Sequence, residues 1–285
     1  MVAMIKIPYP PQRPLSVGEI LDLTFQIYRA TLLRCLLFSV LGVVAGQLTS
    51  IYSIIKGRGL GGGLQGFMQA LLGAQGDLIF KLLYVVGSIL TLVLYAAVLL
   101  RQRALLSDRP VGGELMVGLR RTPAMIGLGL LTTLSVAACL LPAGLAHGVT
   151  RYSIGLVLLI PASYVLVALS CAFIVLLIEG AGPFASYQRS WRLTAGSFWR
   201  LSLVYTVGII VLVVMSFIIG LIAAFLAAIV GRGDVVLAAA ATGVTIIALG
   251  AITTPFYTAL GLAVFGDLTA RKEGADLEQR ISATV

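Results

Sequence analysis

Six long runs of the chain contain no Asp, Glu, Lys or Arg, and each is about long enough to cross a lipid bilayer. Leu, Val, Ile, Ala and Phe fill these runs. A helix needs about 20 apolar residues to span about 30 Å of hydrocarbon. The runs cover residues 35–55, 82–100, 122–150, 152–178, 201–231 and 235–266. The pattern predicts an all-α, polytopic membrane protein with six transmembrane helices.

Three segments outside these runs begin at a proline, continue with helical spacing, and lead into an out-and-back pair of runs. They start at Pro14, Pro110 and Pro183. We therefore predict three transmembrane hairpins, each preceded by an interfacial amphipathic helix. The three units cover residues 14–101, 110–179 and 183–267. With a cytoplasmic tail at 268–285, they form a single integral membrane domain over residues 1–285.

The first and third of these segments have the clearest features of interfacial helices. Ser16 and Glu19 have the spacing of a capping box, which satisfies free N–H groups at a helix start. In the third segment, aromatic side chains alternate with arginines, a mixture typical of the membrane–water interface. We predict that residues 16–29 and 184–199 lie along the membrane surface. The residues proposed as interfacial anchors are Phe25, Trp191, Phe198 and Trp199.

The composition agrees with a protein whose environment is lipid. Of 285 residues, 59% are hydrophobic and only 11% are charged, whereas a soluble domain averages about 25% charged. The net charge of +9 could suggest nucleic-acid binding. However, the basic residues lie at the ends of the apolar runs, where they direct topology and contact anionic lipid headgroups. We therefore expect membrane lipids as partners, with other membrane proteins as a second possibility, and no nucleic acid.

The basic residues also predict an orientation. When loops are assigned alternately to the two sides, 15 of the 20 Lys and Arg residues fall on the side that carries both termini. The positive-inside rule places that side in the cytoplasm. Arg outnumbers Lys, and Ala, Gly and Leu abound, which favours a bacterial source. We expect a multi-pass protein of a bacterial inner membrane with cytoplasmic N- and C-termini.

Charged residues at the cytoplasmic ends of the runs form a candidate cluster. The second, fourth and sixth runs each finish on a charge, namely Arg101, Glu179 and Asp267. A carboxylate at the hydrocarbon edge is costly unless it is paired, and arginine can pair with two hydrogen bonds. We predict that Glu179 or Asp267 contacts an arginine of an interfacial segment; the alternative is that both face water. The candidate arginines are Arg120, Arg121, Arg189 and Arg192.

The sequence offers little for catalysis or metal binding. His147 is the only histidine, and Cys35, Cys139 and Cys171 lie in or beside the runs, where we read them as packing residues. The GxGxxG pattern within residues 57–66 lacks the strand and lysine that nucleotide binding requires. The centres of the runs carry hydroxyls and an amide but no charge, which argues against proton-coupled transport. We expect no metal, no cofactor and no enzymatic activity.

Three stretches provide a resemblance to a known family. They are PLSVGEILDLTFQIYR at 14–29, RSWRLTAGSFWRL at 189–201 and FGDLTARKEGADLEQRI at 265–281. Together they resemble a family of bacterial multi-span proteins. This family includes the YciC-like inner-membrane proteins and the membrane domain attached to some glycerophosphodiester phosphodiesterases. The resemblance implies a helical inner-membrane protein of about six spans. It implies no catalysis, because the phosphodiesterase activity belongs to a separate soluble domain.

Three functions are compatible with these features. The first is a non-enzymatic protein that assists envelope or lipid homeostasis by handling or transporting an amphiphile, which suits charge-free spans above a basic, aromatic rim. The second is a membrane subunit or scaffold that docks partner proteins through its interfacial segments. The third, and least favoured, is an intramembrane enzyme, for which the sequence shows no converging catalytic set.

Overall fold

The computed structural model describes residues 9–11, 13–56, 77–107, 110–145, 147–231 and 235–282. Within these ranges the chain is almost entirely helical and contains no β-strand. The helices, numbered in chain order, are α1 (Val17–Gly46), α2 (Leu48–Ile55), α3 (Leu78–Leu106), α4 (Glu114–Leu145), α5 (Gly148–Ala168), α6 (Ala172–Glu179), α7 (Pro183–Thr194), α8 (Phe198–Gly231) and α9 (Val235–Ser282).

Six helical segments are long and apolar enough to cross a membrane, which confirms the predicted all-α, six-span architecture. They are Val17–Gly46, Leu78–Leu106, Glu114–Leu145, Arg151–Glu179, Phe198–Phe225 and Gly243–Lys272. Neighbours in sequence pack side by side as α1 with α3, α4 with α5, and α8 with α9. Helix α1 also packs along α9, so the first and last spans lie against each other.

The predicted interfacial helices exist separately only in the third unit. Helix α1 runs without interruption from Val17 to Gly46, and α4 from Glu114 to Leu145. The prediction of a separate helix before the first and second spans is therefore wrong. Pro123 lies at this junction in the second unit but does not end α4, and each segment becomes the first turns of its span. The capping box itself is present: the Ser16 hydroxyl accepts from the backbone N–H of Glu19 at 3.3 Å.

The third segment differs because it contains a residue that ends a helix. Gly196 has a φ of +77°, a conformation that glycine adopts without strain. Helix α7 therefore ends at Thr194, and α8 begins at Phe198. The predicted helix over 184–199 is correct for its first part only, since Phe198 and Trp199 belong to the first turn of the fifth span.

The fourth span is interrupted at residues 169–171, where a turn separates α5 from α6. Pro161 lies inside α5 and does not end it. Helix α6 is only eight residues long, yet its side chains at Ala172 and from Ile174 to Leu177 are all buried. A helix that is apolar on every side is stable only inside a protein or a membrane. Helix α6 accordingly occupies the interior of the bundle.

The main core lies at one end of the bundle, which we call the arginine-rich end. This is the end where α1, α4 and α8 begin and where α3 and α6 finish. The buried cluster there includes Ile27, Leu99, Met125, Leu176 and Leu260. Towards the opposite end the packing becomes sparse. No side chain is buried in residues 129–145 of α4, 151–161 of α5 or 209–225 of α8. The six spans therefore share a core over only part of their length.

Candidate site at the arginine-rich end

Asp267 lies at the centre of a buried ion-pair network. Its side chain is fully buried, although it carries a carboxylate on a span-forming helix. The carboxylate accepts hydrogen bonds from Arg200 of α8 and from the Nε of Arg271, the latter at 3.2 Å. It also accepts from the backbone N–H of Leu15 at 2.7 Å. Three donors compensate the cost of removing one carboxylate from water.

The same two arginines also bind the carbonyl of Leu15. Arg271 donates through Nη2 to the Leu15 oxygen at 2.6 Å, and Arg200 through Nη1 at 3.3 Å. The backbone N–H of Leu15 is thus bound to Asp267 of α9, and its carbonyl is bound to Arg200 of α8 and Arg271 of α9. The network joins the chain entering the first span to the fifth and sixth spans, and we call these four residues the Asp267 network.

The segment preceding Leu15 lies across α9. The Tyr9 hydroxyl donates to the carbonyl of Leu262 at 3.2 Å. A Cβ built at Gly266 would lie 2.9 Å from Pro11 and 3.1 Å from the Tyr9 ring, so the segment requires glycine at this position. Burial raises the pKa of Tyr9 above its ordinary value. The phenol therefore remains a neutral donor throughout the physiological pH range.

Two arginines from neighbouring spans bind the carboxyl end of α6. Arg121 donates through Nη1 to the carbonyls of Leu176 at 2.8 Å and Leu177 at 2.5 Å. Arg103 donates to the carbonyl of Ile178 at 3.1 Å. The last carbonyls of a helix have no partner within the helix and carry partial negative charge, so cations are favourable there. These contacts fix α6 to α3 and α4.

The other end of α6 is bound through the interruption in the fourth span. The turn at 169–171 leaves the carbonyl of Ala168 without its usual helical donor. Ser190 and Thr194 of α7 donate to that oxygen at 2.8 and 3.1 Å. They are four residues apart and so lie on one face of α7. Helix α7 therefore stabilises the interruption by supplying hydrogen bonds that the broken helix lacks.

The predicted charge cluster forms separate pairs rather than one group. Glu179 lies 3.5 Å from Arg189 of α7, which confirms the predicted contact with an interfacial arginine. Asp267 also contacts arginines, but they come from α8 and α9 and not from the predicted set. Arg101 lies 3.8 Å from Glu114, and its guanidinium lies 4.7 Å from the centre of the Phe38 ring.

Two members of the predicted cluster stand apart from it. Arg120 and Arg192 are exposed and make no ion pair with any residue that the structure describes. Arg121 does lie in the interior, but it binds backbone carbonyls instead of a carboxylate. The predicted arginines thus occupy the expected end of the bundle, while only Arg189 pairs with a predicted carboxylate.

The predicted interfacial anchors differ in how they contact neighbouring helices. Trp191 and Phe198 both contact Tyr164, with ring centroids 5.7 and 5.1 Å apart. Phe25 contacts Phe256 of α9 at 5.5 Å. Trp199 is 84% exposed and is the aromatic residue best placed to contact surrounding lipid. The first three rings therefore connect helices, and only Trp199 has the surroundings expected of a purely interfacial side chain.

Sequence reasoning missed a buried polar contact near the ends of the first two spans. Gln102 is fully buried and donates through Nε2 to Thr31 at 3.1 Å and to the carbonyl of Pro255 at 2.9 Å. Gln102 lies between Arg101 and Arg103, just beyond the second apolar run, so the sequence alone does not indicate that it is buried. The α3 helix continues to Leu106 and turns Gln102 inward. This contact joins α1, α3 and α9 beneath the Asp267 network.

The site shows no arrangement suited to metal binding. Among the described residues, no three His, Cys, Asp or Glu side chains come together, and all three cysteines are free. The comparisons add no functional evidence: no family model, curated protein or solved structure matches the chain. The resemblance to the YciC-like family therefore stays a prediction that rests on the sequence motifs.

Proposed function

We propose that the chain is a non-enzymatic protein of a bacterial inner membrane that handles an amphiphile within the bilayer. The observation that carries this proposal is the unequal packing of the two halves. The arginine-rich half contains a continuous core with α6 inside it. The other half exposes large apolar side chains such as Leu141, Leu156 and Phe217, which are 61, 70 and 70% exposed. Apolar side chains are exposed in both halves, but only the arginine-rich half also has a buried core between its helices.

The interrupted fourth span gives further support. Discontinuous helices are frequent in membrane transporters, where they form the ligand-binding or gating region near the middle of the bilayer. Here the interruption precedes a short helix that is buried among the other helices, and polar contacts hold both of its ends. An amphiphile could leave through the arginine-rich end only if α6 moved. We propose that α6 controls this passage.

The basic residues support an orientation in which the arginine-rich end faces the cytoplasm. The open half would then face the outer leaflet, where it could receive a lipid by lateral entry. Exposed Trp199 and Arg192 would lie at the cytoplasmic interface, which suits indole and guanidinium groups. Neither the lateral entry of a lipid nor its passage past α6 requires catalysis, which agrees with spans that carry no paired carboxylates.

Transbilayer movement of a lipid in reconstituted vesicles tests the proposal. A fluorescent phospholipid is placed in one leaflet, and its loss to an impermeant quencher is followed over time. We expect faster exchange with the protein than in protein-free vesicles. Ile174→Ala should accelerate exchange further, because Ile174 of α6 packs against Gly261 of α9. Ile126→Ala, at an exposed position of α4 in the arginine-rich half, is the matched control and should leave the rate unchanged.

Two results would contradict the proposal. The first is an exchange rate equal to that of protein-free vesicles for the wild type and Ile174→Ala alike, with both proteins shown to be folded. The second is equal acceleration by Ile174→Ala and Ile126→Ala, which would show that the packing of α6 does not control the passage.

A further inference from the structure

A groove of about 370 Å³ lies between the first two spans, towards the end opposite the Asp267 network. Gly46 and Thr49 form one wall, and α3 forms the other. The groove lies beside the junction where α1 ends at Gly46 and α2 starts at Leu48. Its volume falls within the range of about 300–1,000 Å³ that is typical of ligand pockets.

The two walls are held at a fixed separation by close backbone packing. A Cβ at Gly87 of α3 would lie 2.5 Å from the carbonyl oxygen of Ala45, so the helices touch there without side chains between them. Thr91 donates to the carbonyl of Gly42 at 3.1 Å one turn further along α3. These contacts keep the groove preformed, which reduces the entropic cost of binding a ligand.

Hydroxyl groups line the groove although it lies among apolar spans. Thr49 contributes one hydroxyl, and Tyr84 and Ser88 contribute two more from α3. The side-chain hydroxyls of Thr49 and Ser88 make no hydrogen bond with any described residue. A hydroxyl in hydrocarbon is costly without a partner, and here both could donate to a ligand. The groove therefore suits a molecule with an apolar chain and hydrogen-bond acceptors.

Positive charge lies at the outer mouth of the groove. Lys81 precedes Tyr84 by three residues and Ser88 by seven, which places it on the same side of α3 and about 10 Å nearer the surface than Ser88. Lys56 follows the end of α2 and lies 5.9 Å from the ring of Tyr52. Asp77 caps α3 through the N–H of Ile79 and also binds Tyr52. Among the described residues, these two lysines and the Asp77 carboxylate give the mouth a net charge of +1.

We infer that this groove binds an acidic glycerophospholipid. The phosphate would lie between Lys56 and Lys81, the ester oxygens would accept from Thr49 and Ser88, and one acyl chain would follow the groove towards Thr91. Charge at the mouth, hydroxyls one or two turns deeper and apolar walls below match the order of groups in such a lipid. The inference rests on the proposed function and assigns it a class of amphiphile.

Native mass spectrometry of the detergent-purified protein with phosphatidylglycerol or phosphatidylcholine tests this site. We expect preferential retention of phosphatidylglycerol. Lys81→Gln should reduce that preference by about fivefold, the effect of one lysine near an anionic headgroup. Ser88→Leu, which fills the groove, should reduce retention of both lipids. Inorganic phosphate should neither bind measurably nor displace the lipid, because it lacks the acyl chains.

Two matched variants control for general effects. Arg120→Gln removes an exposed positive charge at the other end of the bundle, and Gly220→Leu adds a leucine on α8, where a Cβ meets no neighbour within 4 Å. Both should retain phosphatidylglycerol like the wild type. Equal retention of the two lipids by the wild type, or unchanged retention in Lys81→Gln and Ser88→Leu, would overturn the inference. Displacement of phosphatidylglycerol by inorganic phosphate would also overturn the inference.

The lipid-exchange assay separates this inference from the proposed function. If the wild type accelerates lipid exchange but Lys81→Gln and Ser88→Leu bind lipid normally, the groove assignment fails and the function stands. If the groove binds phosphatidylglycerol as expected but no exchange occurs, the site stands and transport fails.

Discussion

The carboxylate of Asp267 accepts a hydrogen bond from the backbone N–H of Leu15 at 2.7 Å, across 252 positions of sequence. This contact holds the residue just before the first span against the last span. Arg200 and Arg271 each bind both partners, so neither the carboxylate nor the peptide group can separate without breaking several charge-assisted bonds. The network closes the arginine-rich end around the first, fifth and sixth spans.

Replacement of Asp267 by Asn should strongly destabilise the protein. The variant leaves Arg200 and Arg271 without the fully buried carboxylate that they bind, and loss of one member of such a network costs about 3 kcal/mol. Thermal unfolding in detergent measures the effect. Glu179→Gln is the control, because Glu179 is half-exposed and its contact with Arg189 is worth about 1 kcal/mol or less. Equal stability of the two variants would contradict the role given to the network.

Tyr9 should make the stability of the protein depend on pH in the alkaline range. Burial raises its pKa in the folded state, so the contribution of the neutral phenol is complete below the unfolded value of about 10 and is lost as the pH rises above it. Tyr9→Phe cannot titrate. The difference in unfolding temperature between wild type and Tyr9→Phe should therefore shrink or reverse between neutral pH and pH values above about 10. A constant difference would show that Tyr9 is not buried.

Gly180 and Gly220 should respond oppositely to the same substitution. Gly180 has a φ of +74°, and a Cβ there would lie 2.9 Å from the Arg121 guanidinium that caps α6. Gly180→Ala should therefore cost about 1–3 kcal/mol. Gly220 lies within α8 with no atom within 4 Å of a built Cβ, so Gly220→Ala should be neutral or slightly stabilising. Thermal unfolding of both variants under one condition decides this, and a harmless Gly180→Ala would disprove the requirement for glycine.

Much of the fold follows from local patterns that need no tertiary information. Charge-free runs predict the spans, and Ser16 with Glu19 predicts the start of α1. Other features depended on contacts between distant parts of the chain. The break at 169–171 is stabilised by Ser190 and Thr194, which lie outside the fourth run. In the sequence, Arg103 has the position of a basic residue that directs topology, and its hydrogen bond to the carbonyl of Ile178 depends on the packing of α3 against α6.

The candidate site was only partly predictable for the same reason. The rule that a carboxylate at the hydrocarbon edge needs a partner identified Asp267 and the pair of Glu179 with Arg189. The rule does not predict which arginine pairs with each carboxylate, because that depends on where the helices end. Gly196 ends α7 early, which places Arg200 in the first turn of α8 and directs it to Asp267. Leu15 takes part through its backbone, for which side-chain chemistry gives no signal.

The proposed orientation can be tested by cysteine labelling in intact cells, with Cys35, Cys139 and Cys171 replaced by alanine. We use exposed positions at the two ends, Ile55→Cys on α2 and Gln188→Cys on α7. An impermeant maleimide should label Ile55→Cys without treatment and Gln188→Cys only after permeabilisation. Labelling in the opposite pattern would place the arginine-rich end outside the cell and refute the orientation.

The central claim is that the spans share a core at the arginine-rich end and leave the other half accessible to lipid. An experimental density map of the protein in a lipid nanodisc tests it most directly. We predict continuous protein density around α6 and Asp267, together with elongated non-protein density against α3 near Ser88 and against the exposed half of α8. A map in which residues 209–225 of α8 pack closely against the other spans, with no lipid density beside them, would contradict the account.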